Sequence, residues 1–101
     1  MNRRPFQFEW DELKADANVR KHGVSFDLAC TIFHDMRLLT VADLEHSETE
    51  ERWFSIGCAS NGATLSVVYL WSDADPAATK IRVISARKAT QAETRQYQEG
   101  S

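Results

Sequence analysis

Lys80, Arg82, Arg87 and Lys88 crowd one short stretch, KIRVISARKAT, in a chain whose formal charge is −3. Guanidinium groups along such a β-like run offer planar, paired donors to phosphate or carboxylate oxygens. An arginine inside an otherwise apolar strand is costly unless it is paired or wet, so Arg82 requires a carboxylate, a phosphate or open water. Two readings stand side by side: a solvated or salt-bridged sheet face, and an anion site for a phosphate-bearing partner such as RNA. Metal-free RNA cleavage would need a base to take the 2′-OH proton and an acid to protonate the leaving 5′-oxygen, with arginines stabilising charge on the phosphate. Lys21, His22, His46 and Glu51 are the candidates for proton transfer, and no clear pair stands out among them.

The remaining chemistry-bearing residues have structural explanations beside their functional ones. Lys21 and His22 fall at the end of a helix, where positive charge also stabilises the helix dipole. Arg52 begins a strand and, in the register expected below, lies opposite Trp71, a pairing that could be a cation–π contact. Cys30 and His34 stand four apart on one helix, but zinc needs two more ligands and none has suitable spacing, so a buried thiol is the expectation. His46 sits in an acidic loop and is expected to be exposed, where it could titrate near neutrality. No Gly-rich phosphate loop and no H-E-x-x-H motif is present, and no cofactor or metal is expected.

These residues must be positioned by short elements. FQFEW at 6–10 alternates as a strand. Asp11 can cap a helix whose face would carry Leu13, Ala17 and Arg20. Gly23 reads as the left-handed residue that stops it, with Val19 and Val24 as the apolar pair of a Schellman ending. Ser25 would then cap a second helix, FDLACTIFHD, with Phe26, Ala29, Cys30 and Phe33 on one face and Val24 with Ala29 as its staple. The period changes to two at RLLTVA, and an acidic loop, DLEHSETEE, follows. RWFSIGCAS and ATLSVVYLW flank Asn61-Gly62, a signal for a two-residue type I′ hairpin. That turn pairs Cys58 with Leu65, Ile56 with Val67 and Phe54 with Tyr69 on a helix-facing surface. The other face, more polar, could hold a ligand. KIRVISA is the last strand, and Thr90 caps a final helix. The expectation is a single α+β domain over residues 1–101: an antiparallel β-sheet packed on an N-terminal two-helix hairpin, with a C-terminal helix.

Composition sets outer bounds. With 101 residues, 43% of them apolar, the chain can bury one modest core. It has no run of 18 apolar residues for a membrane span and no apolar segment behind Met-Asn-Arg-Arg-Pro for a signal peptide. Two cysteines do not make a disulfide framework, so a reducing, cytoplasmic setting is expected. Charge is divided unevenly: residues 1–26 carry +1, residues 27–75 carry −7 and residues 76–101 carry +3. Any nucleic-acid site must therefore be local.

Taken together, FEWDELKADANVRKHGVSFDLACTIFHD, EERWFSIG and IRVISARKAT…E…Y resemble the BrnT family, toxins of bacterial type II toxin–antitoxin systems, from about Phe6 to Tyr97. The resemblance implies a RelE-like ribonuclease fold and RNA cleavage that inhibits translation. It also implies neutralisation by a BrnA-type antitoxin with a ribbon-helix-helix domain, with operator DNA bound only through the complex. By position it implies Lys21, Arg52, Arg82 and Arg87 as active-site residues, with Glu51 as the candidate proton acceptor. Lys80, Lys88 and Trp71 are the expected RNA contacts. One departure is Leu70-Trp71-Ser72-Asp73, where similar sequences commonly place a threonine or an arginine. The alternative function is a catalytically weak or inactive antitoxin-binding module acting as operon co-repressor.

Overall fold

A computed structural model describes residues 5–42, 52–73 and 76–100. The alternating apolar residues of FQFE form strand β1 (Phe6–Glu9). Asp11 then accepts from the amides of Leu13 and Lys14 and starts helix α1 (Glu12–His22). Gly23 ends it at φ 69°, its N–H donating to Val19 O. That single bond is the αL ending rather than the Schellman one, and Val19 is left 46% exposed while Val24 is buried.

Ser25 Oγ accepts from Leu28 N and caps helix α2 (Phe26–Cys30), which tightens into a 3₁₀ turn (Thr31–His34) instead of continuing as one helix. Thr31 helps fix that change, because its hydroxyl donates back to Leu28 O and accepts from Ser60 N. Phe26, Ala29, Cys30 and Phe33 are all buried, as their spacing requires.

Strands β2 (Leu39–Ala42), β3 (Arg52–Cys58), β4 (Thr64–Ser72) and β5 (Thr79–Lys88) run as an antiparallel meander, followed by helix α3 (Gln91–Gly100). The sheet order is β1-β5-β4-β3-β2, and β1 pairs with β5 in parallel. The sheet is thus mixed, not wholly antiparallel. Direction explains it: β2 runs opposite to β1, and three antiparallel turns return β5 in β1's direction.

The β3–β4 register differs from expectation by one residue. Ala59 N bonds Ala63 O, and Gly62 N bonds Ala59 O, so the loop holds three residues, Ser60-Asn61-Gly62. Only Gly62 has positive φ, at 87°, and Asn61 Oδ1 accepts from Ala63 N. This is the type I turn with a left-handed glycine, which needs one such residue where type I′ needs two. A one-residue slip exchanges faces. Gly57 therefore pairs with Leu65, Ser55 with Val67 and Trp53 with Tyr69, on the face that meets α2 and the 3₁₀ turn.

On that face Phe33 meets Tyr69 edge-on at 4.9 Å, within a core that includes Ile32, Leu65, Val67, Ile81 and Val83. Ser55, fully buried, is satisfied by Tyr69 Oη at 2.6 Å and Thr40 Oγ1 at 2.9 Å. A Cβ on Gly57 would fall 2.7 Å from a Leu38 methyl and 3.1 Å from Ile32 Cβ, so glycine allows the 3₁₀ turn to approach the strand. Opposite, Ile56 and Leu39 are cross-strand partners on the other face. Gly100 lies against Leu39 and α3 packs on β3, so Ile56, fully buried, is covered from the second side.

Helix α1 turns a different side inward from the one its apolar spacing suggests. Leu13 is 80% exposed, and Ala17 and Arg20 are also exposed. The buried residue is Asn18. Its amide donates to Val24 O and Ala86 O at 2.8 Å each and accepts from Ala86 N at 3.1 Å. Strand β1 covers β5 only from Thr79 to Arg82. Beyond it, one side chain supplies Ala86 with the donor and acceptor that a neighbouring strand would have supplied.

Candidate anion-binding face

Arg82 and Arg87 are five residues apart, which in a regular strand would put them on opposite faces. The β4–β5 register shifts between Val68 and Tyr69: Val68 pairs with Ser85 but Tyr69 with Val83, leaving Ile84 as an extra residue on β5. This bulge resets the alternation. Arg82 then pairs with Leu70, and Arg87 with Ser66, on one face. Leu70 is also the partner of Arg52. Arg52 and Arg82 thus flank Leu70 on the face turned away from α2, with backbones about 10 Å apart by strand spacing. Lys80, opposite Ser72, continues the row.

The arginines differ in their surroundings. Arg82 is half-buried and makes no hydrogen bond or ion pair among the described residues. Arg87 is held by Glu93, Nη1 to Oε1 at 2.7 Å and Nη2 to Oε2 at 2.9 Å. Glu93 also belongs to a capping box: Thr90 N donates to its Oε1 at 2.9 Å, and its own N–H donates to Thr90 Oγ1 at 3.1 Å. The Arg87 bonds outweigh burial and hold the Glu93 carboxyl below its ordinary range, and the same bonds raise Arg87.

A second anchor joins α3 to the turn before β2. Tyr97 Oη donates to Asp35 Oδ2 at 2.5 Å, the same oxygen accepts from Cys58 N, and Arg37 N donates to Oδ1. Burial opposes ionisation of Asp35, but these three donors still hold its carboxyl below the usual value. The bond to Asp35, with burial, pushes the Tyr97 phenol up to about 12.

Other expected site residues are distributed elsewhere. Trp71 lies on the helix-facing side, edge-on to Phe6 at 6.3 Å, so it does not stack on Arg52, whose cross-strand partner is Leu70. The one-residue register slip is the cause. Trp71 instead lines an apolar cavity of about 370 Å³ with Phe6, Phe33, Trp53 and Tyr69. Lys88 is exposed at the end of β5, level with Leu65 and off the arginine face. Lys21 is exposed one turn beyond Asn18, whose carboxamide reaches Ala86. Glu51 and His46 fall outside the described residues. Cys30 is buried and its thiol, desolvated and close to Asp27, is pushed up to about 12, while His34 is exposed. The described residues hold no cluster of three or more metal-ligating side chains, and no helix among them is long and apolar enough to cross a membrane. Sequence reasoning missed the Arg87–Glu93 pair, although Thr90-x-x-Glu93 carries the capping-box signature; nothing local marks Asp35 as the partner of Tyr97.

A family model described as "Ribonuclease toxin, BrnT, of type II toxin-antitoxin system" matches residues 10–93. The chain belongs to the BrnT family. Its fold is similar to that of the crystallised ribonuclease toxin BrnT of Brucella abortus, with a TM-score of 0.62 at 24% identity, covering 86% of this chain and 99% of that one. Comparison with curated protein sequences gives no match. The BrnT model spans every element from α1 through β5 and reaches Glu93, so the arginine face and the start of α3 fall inside it.

Proposed function

We propose that this BrnT-family chain is a metal-independent endoribonuclease on a RelE-like scaffold that cleaves RNA, inhibits translation in the cytoplasm and is neutralised by a BrnA-like ribbon-helix-helix antitoxin. Arg82, Arg52 and Arg87 stabilise charge on the scissile phosphate, and Lys80 follows the RNA backbone. Lys21 adds positive charge near the Arg87 end, and Glu51 accepts the 2′-OH proton. The observation that carries the reading is Arg82: a half-buried guanidinium, one strand from Arg52 on either side of Leu70, with no ion pair among the described residues. A charge so placed is costly unless an anion or water meets it, and its β1 partner Glu9 makes no ion pair with it. Operator DNA is reached only through the antitoxin complex.

The test is cleavage of a long mRNA by purified chain freed of antitoxin, with and without EDTA. Cleavage that survives EDTA and falls in Arg82→Ala supports the nuclease. A natural chain that cuts nothing, yet still forms an operator-binding complex with its antitoxin, would establish the co-repressor instead.

A further inference from the structure

Arg87 offers a two-pronged fork, and that fork is already filled. Glu93 meets both terminal nitrogens with both carboxylate oxygens, the geometry by which an arginine takes two oxygens of a phosphate. The carboxylate is held in place, because Oε1 also accepts from Thr90 N at the third position of α3. Yet the pair is open to solvent, with the Arg87 side chain 43% exposed and that of Glu93 16%. Helix α3 itself buries no residue. What fastens it to the sheet includes this pair, the Tyr97–Asp35 bond and its packing over β3. A helix so lightly held opens more readily than the core.

We propose that Glu93 is an internal stand-in for an RNA phosphate: it occupies the Arg87 fork in the resting chain and must be displaced before Arg87 joins Arg82 on the RNA backbone. This rests on the reading of the arginine face as an RNA site and adds its restraint. The Ile84 bulge is what makes competition possible, since without it Arg87 would face the other way. A purely structural anchor would use the same two hydrogen bonds, but its loss would not strengthen RNA binding.

Glu93→Gln separates the two. Glutamine keeps the capping box, so α3 retains its start, while the charge that holds Arg87 is gone. The probe is a 2′-O-methyl RNA oligonucleotide, which lacks the attacking hydroxyl and cannot be cleaved, titrated by fluorescence anisotropy over a range of salt. Glu93→Gln should bind it about three- to fivefold more tightly at low salt, with a salt slope steeper by about 0.7, the value of one added phosphate contact on a single strand. Arg87→Ala in the Glu93→Gln background should remove both gains. Thr90→Ala keeps both charges and loosens only the start of α3, so it should shift binding in the same direction; it carries the test if circular dichroism shows Glu93→Gln unfolded. If Arg82→Ala weakens binding as the RNA reading requires, but folded Glu93→Gln and Thr90→Ala bind no better than the natural chain, the stand-in is overturned and the face survives. If the natural chain and Arg82→Ala alike fail to bind the oligonucleotide, the RNA reading falls and takes the stand-in with it.

Discussion

Arg82 and Arg87 show how the same side chain acquires different work from its neighbours. Arg82 has a strand on each side, with Glu9 as its register partner on β1, yet makes no ion pair among the described residues. In a working nuclease Arg82→Ala should lower the rate of mRNA cleavage about a hundredfold or more. Arg82→Lys should restore little of it, because an ammonium lacks the planar fork. Arg87 spends its fork on Glu93, and that bond has a pH signature. The carboxyl of Glu93 is depressed in the folded chain, so the pair adds stability above the ordinary glutamate range, near 4.5, that is lost as pH falls through the lower folded value. Thermal melts should show Glu93→Gln losing less stability than the natural chain as pH falls below the ordinary glutamate range. Tyr97 has the opposite sign. Its phenol is raised from 10.0 to about 12, so the bond to Asp35 stabilises below pH 10 and is lost between 10 and 12. Tyr97→Phe should flatten the alkaline limb of the same melting profile.

At the scale of elements, the helix caps were legible because each is written in adjacent residues. Asp11, Ser25 and Thr90 cap as read, and Gly23 is left-handed as read. Nothing lies within 4 Å of a Cβ built at Gly23, so the cost of Gly23→Val is conformational, about 1–2 kcal/mol, and urea unfolding of the mutant should report it. Gly57→Ala should cost a similar amount for a steric reason, the approach of Ile32 and Leu38. What stayed illegible was parity. A hairpin of two or three residues reads almost alike around Asn61-Gly62, but the choice moved Trp53, Ser55 and Gly57 to the helix side and Arg52 off it. The Ile84 bulge has no local signature either, although it decides that Arg82 and Arg87 share a face. Helix α1 misled for another reason: its inward residue is a polar one, and apolar spacing cannot find it.

At the scale of the whole molecule, the excess of acid lies in residues 27–75 and the excess of base at the C-terminal end. A chain of net charge −3 should bind operator DNA weakly by itself and strongly only with its antitoxin; gel shifts of the chain, the antitoxin and the complex at several salt concentrations check this. Strong, salt-sensitive shifting by the isolated chain would contradict it. The same whole-molecule view gives Asn18 a second meaning. Where β1 stops, β5 continues with an open flank, and the Asn18 carboxamide occupies it at Ala86. An unoccupied flank of this kind is a template for any strand that arrives from another molecule. Asn18→Ala should therefore change the company the chain keeps as well as its melting point: light scattering and size exclusion should show larger species that grow with concentration beyond those of the natural chain. One amide stands between a sheet that ends and a sheet that recruits.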